Sequence, residues 1–268
     1  MISSESNGQM KDLIRLQKQA RFRKKQAVFV AEGLKMVQEA AHYGKLQKIY
    51  LSESLYEEVE QGNYVGFDED LLTSYDYEVI ADILFQKVSD TVTPQGILGL
   101  VSIPRYSQDE VLQSQKPYYL LLDDIRDPGN LGTMIRTAEG AGISGVILSQ
   151  GSVDLFNPKV VRGTMGAIFR MPYCYVESLT EIIGQIRSQG CQVYATAMAG
   201  SVAYDEPDYT TGAAIVIGNE ANGISDAVFR EGPVNIRIPM EGKLESLNAA
   251  ISAAIIMYEI NRQNRQVT

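Results

Sequence analysis

The sequence predicts an α/β protein of two domains, the second built on a parallel sheet. Three observations carry this. Strand-like and helix-like segments of ordinary length alternate over the first hundred residues. A polar, proline-bounded stretch, Pro104 to Pro117, then interrupts them as a linker would. Beyond it, Tyr118 to Leu122 is apolar without alternation, as suits a strand buried on both faces of a parallel sheet. The expected boundaries are therefore residues 1–103, a linker at 104–117, and residues 118–268.

In the first domain, residues 9–26 read as a basic helix leading into a loop, Val28 to Val30 as a short strand, and Glu32 to Tyr43 as a helix closed by Gly44. Leu46 to Leu51 alternates as a strand, and Glu53 to Gln61 forms a short acidic helix. Asp76–Ile80 and Ile97–Ile103 are further strands, with helical segments near Asp68–Leu72 and Ala81–Val88.

The second domain opens with strand, polar elbow and helix. Asn130 suits an N-cap, and Leu131, Ile135 and Ala138 recur on one helix face. Arg136 lies six residues past Asn130, about 9 Å further along the axis. Open α/β sheets place their ligands beyond the carboxyl ends of strands, at such an elbow. Read alone, the stretch also fits a capped helix with a surface arginine. Further strands fall at Val146–Leu148, Tyr173–Val176, Cys191–Ala197, Ala213–Gly218 and Val234–Ile238, and helices at Asn157–Met165 and Leu179–Gln189. The closing helix, from about Glu245 to Arg262, is apolar nearly all round, so it is expected to be buried in the domain or to form a subunit interface.

Composition excludes several classes. The 268 residues are 45% apolar, and the longest apolar patch, Ala249 to Tyr258, is too short to span a bilayer. Met1 to Gly8 is polar and unlike a secretory signal, so a cytoplasmic protein is expected. Cys174 and Cys191 sit in strand-like apolar contexts and read as reduced core residues. His42 is the one histidine, which leaves no histidine-based triad, and no cluster has metal-ligand spacing. The net charge of −9 is unevenly spread. Lys11 to Lys25 holds seven cations and one acid, whereas Glu53 to Asp82 holds ten acids and no cation. The density at Arg21, Arg23, Lys24 and Lys25 favours an anionic partner.

Three glycine patterns separate on context. Gly140-Ala141-Gly142-Ile143-Ser144-Gly145 has the letters of a dinucleotide fingerprint but runs from helix into strand, the wrong way round, so its glycines end a helix. Gly218 to Gly223 has the spacing of a phosphate loop, yet Ile224-Ser225 stands where lysine is needed. It is a strand running into a polar loop that carries one carboxylate, Glu220. The third, Ile238-Pro239-Met240-Glu241-Gly242, leaves a strand for a helix headed by Ser246-Leu247-Asn248. Three strand ends thus present Asn130, Arg136, Glu220, Ser246 and Asn248, a set suited to holding a small ligand with help from the main chain. With no activated nucleophile and no metal cluster, the expected chemistry is transfer of a group carried by a bound cofactor.

Asn130-Leu131-Gly132-Thr133-Met134-Ile135-Arg136-Thr137-Ala138, Gly218 to Gly223, and Ile238-Pro239-Met240 through Ser246-Leu247-Asn248-Ala249-Ala250 resemble, in order and spacing, the three motifs of the SpoU (TrmH) RNA 2′-O-ribose methyltransferases. Phe156 to Ala167 and Thr93 to Leu98 agree as well, and Phe29 to Gly33 resembles the start of the family's accessory substrate-binding domain. Gly140 departs from the family's usual alanine, and Phe22 interrupts the basic run.

The resemblance implies a SPOUT catalytic domain with a C-terminal trefoil knot, a small ribosomal-protein-like N-terminal domain, and a homodimer. It implies S-adenosyl-L-methionine bound by Thr196, Ala197, Met198, Gly218, Ile238 and Leu247, mostly through backbone. The acceptor would be a ribose 2′-hydroxyl of RNA, with rRNA favoured over tRNA because the accessory domain is like those of rRNA-directed members. Arg136 would act on that hydroxyl, and Asn130, Glu220, Ser246 and Asn248 would orient substrate and shape the site. Glu220 could instead brace its loop and Ser246 cap the closing helix. Arg21, Arg23, Lys24, Lys25 and Arg162 would bind RNA. The other classes weighed are a tRNA methyltransferase, an RNA-binding module without catalysis, and a nicotinamide-dependent oxidoreductase resting on the misplaced glycines.

Overall fold

The structure, a computed structural model, describes residues 1–64, 66–67, 70–114 and 117–265. Asp68 and Glu69 of the expected helical segment, and Gln115 and Lys116 of the expected linker, lie outside the described residues. The elements begin with α1 (Gly8–Lys18), α2 (Ala20–Gln26), β1 (Val28–Glu32), α3 (Leu34–His42), β2 (Leu46–Ser52), α4 (Glu53–Glu60), α5 (Asp70–Ser74), β3 (Tyr77–Ile80), α6 (Asp82–Val88) and β4 (Ile97–Ser102). Next come α7 (Gln108–Leu112), β5 (Tyr118–Asp123), α8 (Pro128–Ala141), β6 (Gly145–Ser149), α9 (Pro158–Thr164), β7 (Tyr173–Val176) and α10 (Leu179–Ser188). The chain closes with β8 (Gln192–Thr196), β9 (Val202–Ala203), β10 (Ala213–Gly218), α11 (Asp226–Arg230), β11 (Val234–Arg237) and α12 (Ala249–Arg265).

Two compact units result. The first comprises Met1–Arg105 and Asp154–Phe169, the second Tyr106–Val153 and Arg170–Thr268. The first unit's sheet has the order β1-β4-β2-β3, with β4 antiparallel to β1 and β2, and β2 parallel to β3. The basic stretch 9–26 is two helices rather than one, because Gln19 is extended between them (φ −124°, ψ 105°). The break lets Met10, Leu13 and Leu16 of α1 and Phe22 of α2 all enter one core with Val28, Val30 and Leu98. The next helix starts at Leu34, later than expected, because β1 continues to Glu32 and Gly33 turns at φ 96°. A β-carbon on Gly33 would lie 2.9 Å from Oε1 of Gln95, the atom that accepts the Leu34 amide at 3.0 Å.

Residues 154–169 belong to this unit although in sequence they fall inside the expected span 118–268. Helix α9 packs on β1, and Phe29 meets Phe156 and Phe169 at ring-centroid distances of 4.9 and 6.2 Å. Arg23 corrects an expectation. It is only 4% exposed, its Nε donates to Asp154 Oδ2 at 2.9 Å, and its Nη1 donates to the Leu16 carbonyl at 2.6 Å. A guanidinium so committed holds the fold and is withdrawn from RNA. Arg21, Lys24 and Lys25 remain exposed, and Arg162 is ion-paired with Asp90.

The second unit's sheet, β7-β6-β5-β10-β8-β11-β9, is parallel throughout. Its apolar runs follow from two covered faces. Tyr119, Leu121, Ile147, Val193, Ala195, Ala214 and Val216 join Ile182, Ile183 and Ile186 of α10 in one core. The alternate residues Leu120, Leu122, Ile215 and Ile217 are buried on the opposite face, the side on which α12 packs against α8 and β10. The linker expectation needs correcting within its described residues. Ser107 and Glu110 form a capping box that starts α7, and Val111 and Leu112 enter the second core. Cys174 and Cys191 are buried and unpaired, with burial raising both thiols, that of Cys174 to about 11.

Candidate active site

Because the second sheet is parallel, the carboxyl ends of β5, β10, β8 and β11 fall on one edge, and the site is assembled there. At the end of β5 the Asp123 carboxylate accepts the Ser225 amide at 2.8 Å. Asp124 follows with φ 59°, a left-handed conformation that aspartate tolerates better than most residues. It is pinned on both sides: its amide donates to Ser149 Oγ and its carbonyl accepts from Asn219 Nδ2, each at 2.8 Å.

The cap of α8 is Asp127, whose Oδ1 accepts the Asn130 amide at 2.7 Å, and not Asn130 as expected. Pro128 explains the shift. Proline lacks an amide hydrogen and prefers the first helical position, which puts the cap immediately before it. Asn130 becomes the third residue of the helix and its side chain is released for other work. Its Nδ2 donates to Glu220 Oε1 at 2.9 Å, and its Oδ1 accepts from Asn248 Nδ2 at 2.9 Å. Asn248 in turn caps the closing helix, taking the Ala250 and Ile251 amides at 2.9 and 3.3 Å. The closing helix therefore starts at Ala249, four residues later than expected, and Ser246 is not its cap.

Asn248, Asn130 and Glu220 are thus one directed chain of hydrogen bonds across three motifs that lie far apart in sequence. Glu220 also accepts the Asp127 and Arg126 amides at 3.3 and 3.4 Å. Burial opposes its ionisation, but the Asn130 side chain and these amides outweigh burial and hold its carboxyl below the ordinary carboxylate range. At neutral pH it is an anion and an acceptor only. The loop carrying it closes tightly. Asn219 and Gly223 exchange both backbone hydrogen bonds, and a β-carbon on Gly218 would lie 2.3 Å from the Gly223 carbon and Ile224 nitrogen.

Beside this chain lies a cavity of about 340 Å³. Thr196, Ala197, Met198, Gly218, Ile238 and Leu247 all line it, with Glu220, Ser246 and Asn248. Every residue expected to hold a cofactor therefore reaches one cavity, from β8, β10, β11 and the stretch before α12. Arg136 is not on its wall. It sits exposed on α8, well beyond Asn130, and makes no hydrogen bond or ion pair among the described residues. Arg21, Lys24, Lys25 and Arg162 belong to the first unit.

Residues 117–258 match the model of the SpoU rRNA Methylase family, more than half of the chain. The chain belongs to the SpoU rRNA methylase family. Residues 7–99 of this SpoU protein match a second model, the MRM3-like substrate binding domain. It is 32% identical over 259 residues to the 23S rRNA (guanosine(2553)-2'-O)-methyltransferase RlmP of Bacillus subtilis, covering 97% of this chain and 98% of that one. Among solved structures it is similar to an AdoMet-bound rRNA methyltransferase from Sinorhizobium meliloti, with a TM-score of 0.81 and 34% identity over 97% of each chain. The SpoU methyltransferase AviRb of Streptomyces viridochromogenes, at 24% identity and a TM-score of 0.86, covers 97% of this chain and 98% of its own and shares the fold.

Sequence reasoning missed several groups that build the SpoU site. Asp127 was signalled by the proline after it. Asn219 braces the elbow through the Asp124 carbonyl, and its Oδ1 accepts the Ala221 and Asn222 amides. Ile224, Arg237 and Ser252 complete the wall from positions outside the short motifs, where nothing in the local sequence marks them.

Proposed function

We propose that this protein transfers a methyl group from S-adenosylmethionine to a ribose 2′-hydroxyl of RNA, with ribosomal RNA as the substrate. The observation that carries this is the cavity at the ends of β8, β10 and β11, tied by Glu220, Asn130 and Asn248 to the helix bearing Arg136. Its wall fits the cofactor: small and apolar side chains, exposed backbone at strand ends, and Gly218 where no β-carbon has room. Thr196, Ala197, Met198, Gly218, Ile238 and Leu247 would hold it. When bound, S-adenosylmethionine supplies an electrophilic methyl group on a sulfonium centre.

The protein's own groups position and stabilise. Arg136 acts as a cationic donor that places the nucleotide and steadies charge developing on the 2′-oxygen. Glu220, with its lowered pKa, is a poor base; it orients Asn130. Asn130 and Asn248 fix the substrate side of the site, and Ser246 shapes the rim. The names of the similar proteins from B. subtilis and S. meliloti support rRNA. The first unit's substrate-binding match supports RNA contact through Arg21, Lys24 and Lys25, with Arg162 beside its partner Asp90.

A C-terminal trefoil knot, a homodimer and a cytoplasmic location belong to the same reading. The return of α12 against α8 and β10 supports the first. The second draws support from Ile251 and Tyr258, which stay 48% and 51% exposed on α12 in the single chain. No helix among the described residues is long and apolar enough to cross a membrane.

The test is methyl transfer from labelled S-adenosylmethionine to fractionated rRNA and tRNA. Label is expected in the rRNA fraction, at 2′-O positions, and it should fall at least about a hundredfold in Arg136→Ala while cofactor binding persists. No label in any RNA would remove the enzyme reading. Label in tRNA alone would move the substrate, and label surviving Arg136→Ala would remove that residue's role.

A further inference from the structure

We propose that Arg126 is a substrate-binding residue that takes a phosphate of the RNA strand, and that Asp124 is the positioning residue that aims it. This rests on the reading of the site as one that acts on RNA.

Arg126 is the cation of the elbow between β5 and α8. Its backbone amide lies 3.4 Å from Oε2 of Glu220, a residue of the cavity wall, so the elbow adjoins the loop that bounds the cavity. Its side chain is 70% exposed. The guanidinium is nonetheless held: Nε lies 3.1 and 3.2 Å from the two Asp124 oxygens, and Nη2 lies 3.1 Å from Oδ2. Nη1 has no partner among the described residues.

Asp124 is firmly placed, and among the described residues its carboxylate pairs with the exposed Arg126 and accepts from Asn219 Nδ2 at 3.4 Å. Its left-handed backbone is pinned by Ser149 and Asn219 at the ends of β6 and β10. Its carboxylate also fills the space beside Gly151, where a β-carbon would come within 2.3 Å of Oδ1. An exposed ion pair adds little to stability, so stability does not explain this arrangement. Orientation does: the pair uses one edge of the planar guanidinium and leaves the other edge directed and free.

Charge supplies the second reason. Asp124, Asp127 and Glu220 are three carboxylates of the elbow and its neighbouring loop, and Arg126 is the cation among them. A strand that brings a ribose hydroxyl to this edge brings its flanking phosphates too. Without a cation on the elbow those phosphates would meet its carboxylates unscreened. Arg136, on the helix that follows, carries the catalytic charge; Arg126 covers the approach.

The experiment uses the full-length protein with rRNA from cells lacking it. It compares Arg126→Ala, Arg126→Lys and Asp124→Asn in filter-binding titrations across salt, in KM and kcat for RNA, and in equilibrium dialysis of labelled S-adenosylmethionine. For Arg126→Ala, KM and Kd for RNA should rise about tenfold or more, with a kcat within about twofold. The slope of log Kd against log salt should flatten by about 0.7, the value of one single-strand phosphate contact. Arg126→Lys should restore the slope but only part of the affinity, because lysine lacks the fork. Asp124→Asn should raise KM severalfold and leave the slope intact. Unchanged RNA affinity and slope in Arg126→Ala would overturn the proposal. So would a loss of cofactor affinity in that variant, which would mark the residue as a brace for Glu220. RNA binding is read without catalysis, so absence of methyl transfer by the wild type would sink the proposed reaction and still leave Arg126 decided.

Discussion

Replacing Asn130 with aspartate keeps the shape of the residue and reverses one contact. In the wild type, Nδ2 of Asn130 donates to Glu220 Oε1 across 2.9 Å. In Asn130→Asp an anionic oxygen stands in that place, opposite the Glu220 carboxylate. Two like charges about 4 Å apart repel by ~1 kcal/mol in water and ~4 kcal/mol at an effective dielectric of 20. Asn130 is half-buried, so ~2 kcal/mol is a fair middle value, and the lost hydrogen bond adds ~1 kcal/mol. Asn130→Ala removes both side-chain hydrogen bonds but adds no charge, at a cost of ~1–2 kcal/mol. At about 2–4 °C per kcal/mol for a chain of this size, Asn130→Asp should melt about 6–12 °C below wild type and Asn130→Ala about 2–8 °C below.

The pH dependence separates the two effects. The carboxylate pair of Asn130→Asp shares a proton, which raises its folded-state pKa above the unfolded value near 4. The penalty is therefore absent below that range and grows as pH rises through the raised value. In the wild type the sign is opposite: Glu220 has a lowered pKa, so its contribution is present above the ordinary carboxylate range and is lost as pH falls through the lowered value. Thermal unfolding followed by circular dichroism from pH 7.5 to 4.5 should show the Asn130→Asp deficit shrinking with acid while the Asn130→Ala deficit stays nearly constant. A deficit of Asn130→Asp that matches Asn130→Ala at every pH would refute the hydrogen-bonded chain on which the site is built.

Two further outcomes follow from packing. Gly218→Ala puts a methyl group 2.3 Å from backbone atoms that no rotamer change can move, so it should cost about 1–3 kcal/mol and abolish binding of labelled S-adenosylmethionine in equilibrium dialysis. Binding at wild-type affinity would show that the loop gives way without harm. Arg23→Ala should destabilise by about 3–5 kcal/mol in chemical denaturation, since it strips the partner from Asp154, whereas a combined Arg21→Ala, Lys24→Ala and Lys25→Ala variant should keep wild-type stability and flatten the salt dependence of RNA binding. An unstable triple variant, or a harmless Arg23→Ala, would reverse that division of labour.

The strands of the second unit were legible because burial on both faces leaves an uninterrupted apolar run. Tyr173–Val176 and Ala213–Gly218 have the ends the sequence indicates. The glycines at 140–142 could be recognised as a helix end, and Gly142 does close α8 at φ 77°. Asn130, Glu220 and Asn248, which the structure links by hydrogen bonds, sit in short motifs demanding in residue type and order, whereas Ile224, Arg237 and Ser252 of the cavity wall do not.

What the sequence determined by itself was thus the class of fold, the elements and the set of polar groups brought to strand ends. Tertiary structure alone decided which of those groups meet and what each is free to do. Asn130 tied α8 to the Glu220 loop, Asn248 at the head of α12 tied that helix to Asn130, and Arg23 left a run of look-alike cations to become buried against Asp154. The physical reason is the same in each case. Periodicity and propensity are local and report a residue's environment along the chain, whereas a side chain's hydrogen bonds and burial depend on partners 90 to 131 positions away, whose placement is fixed only when the core closes.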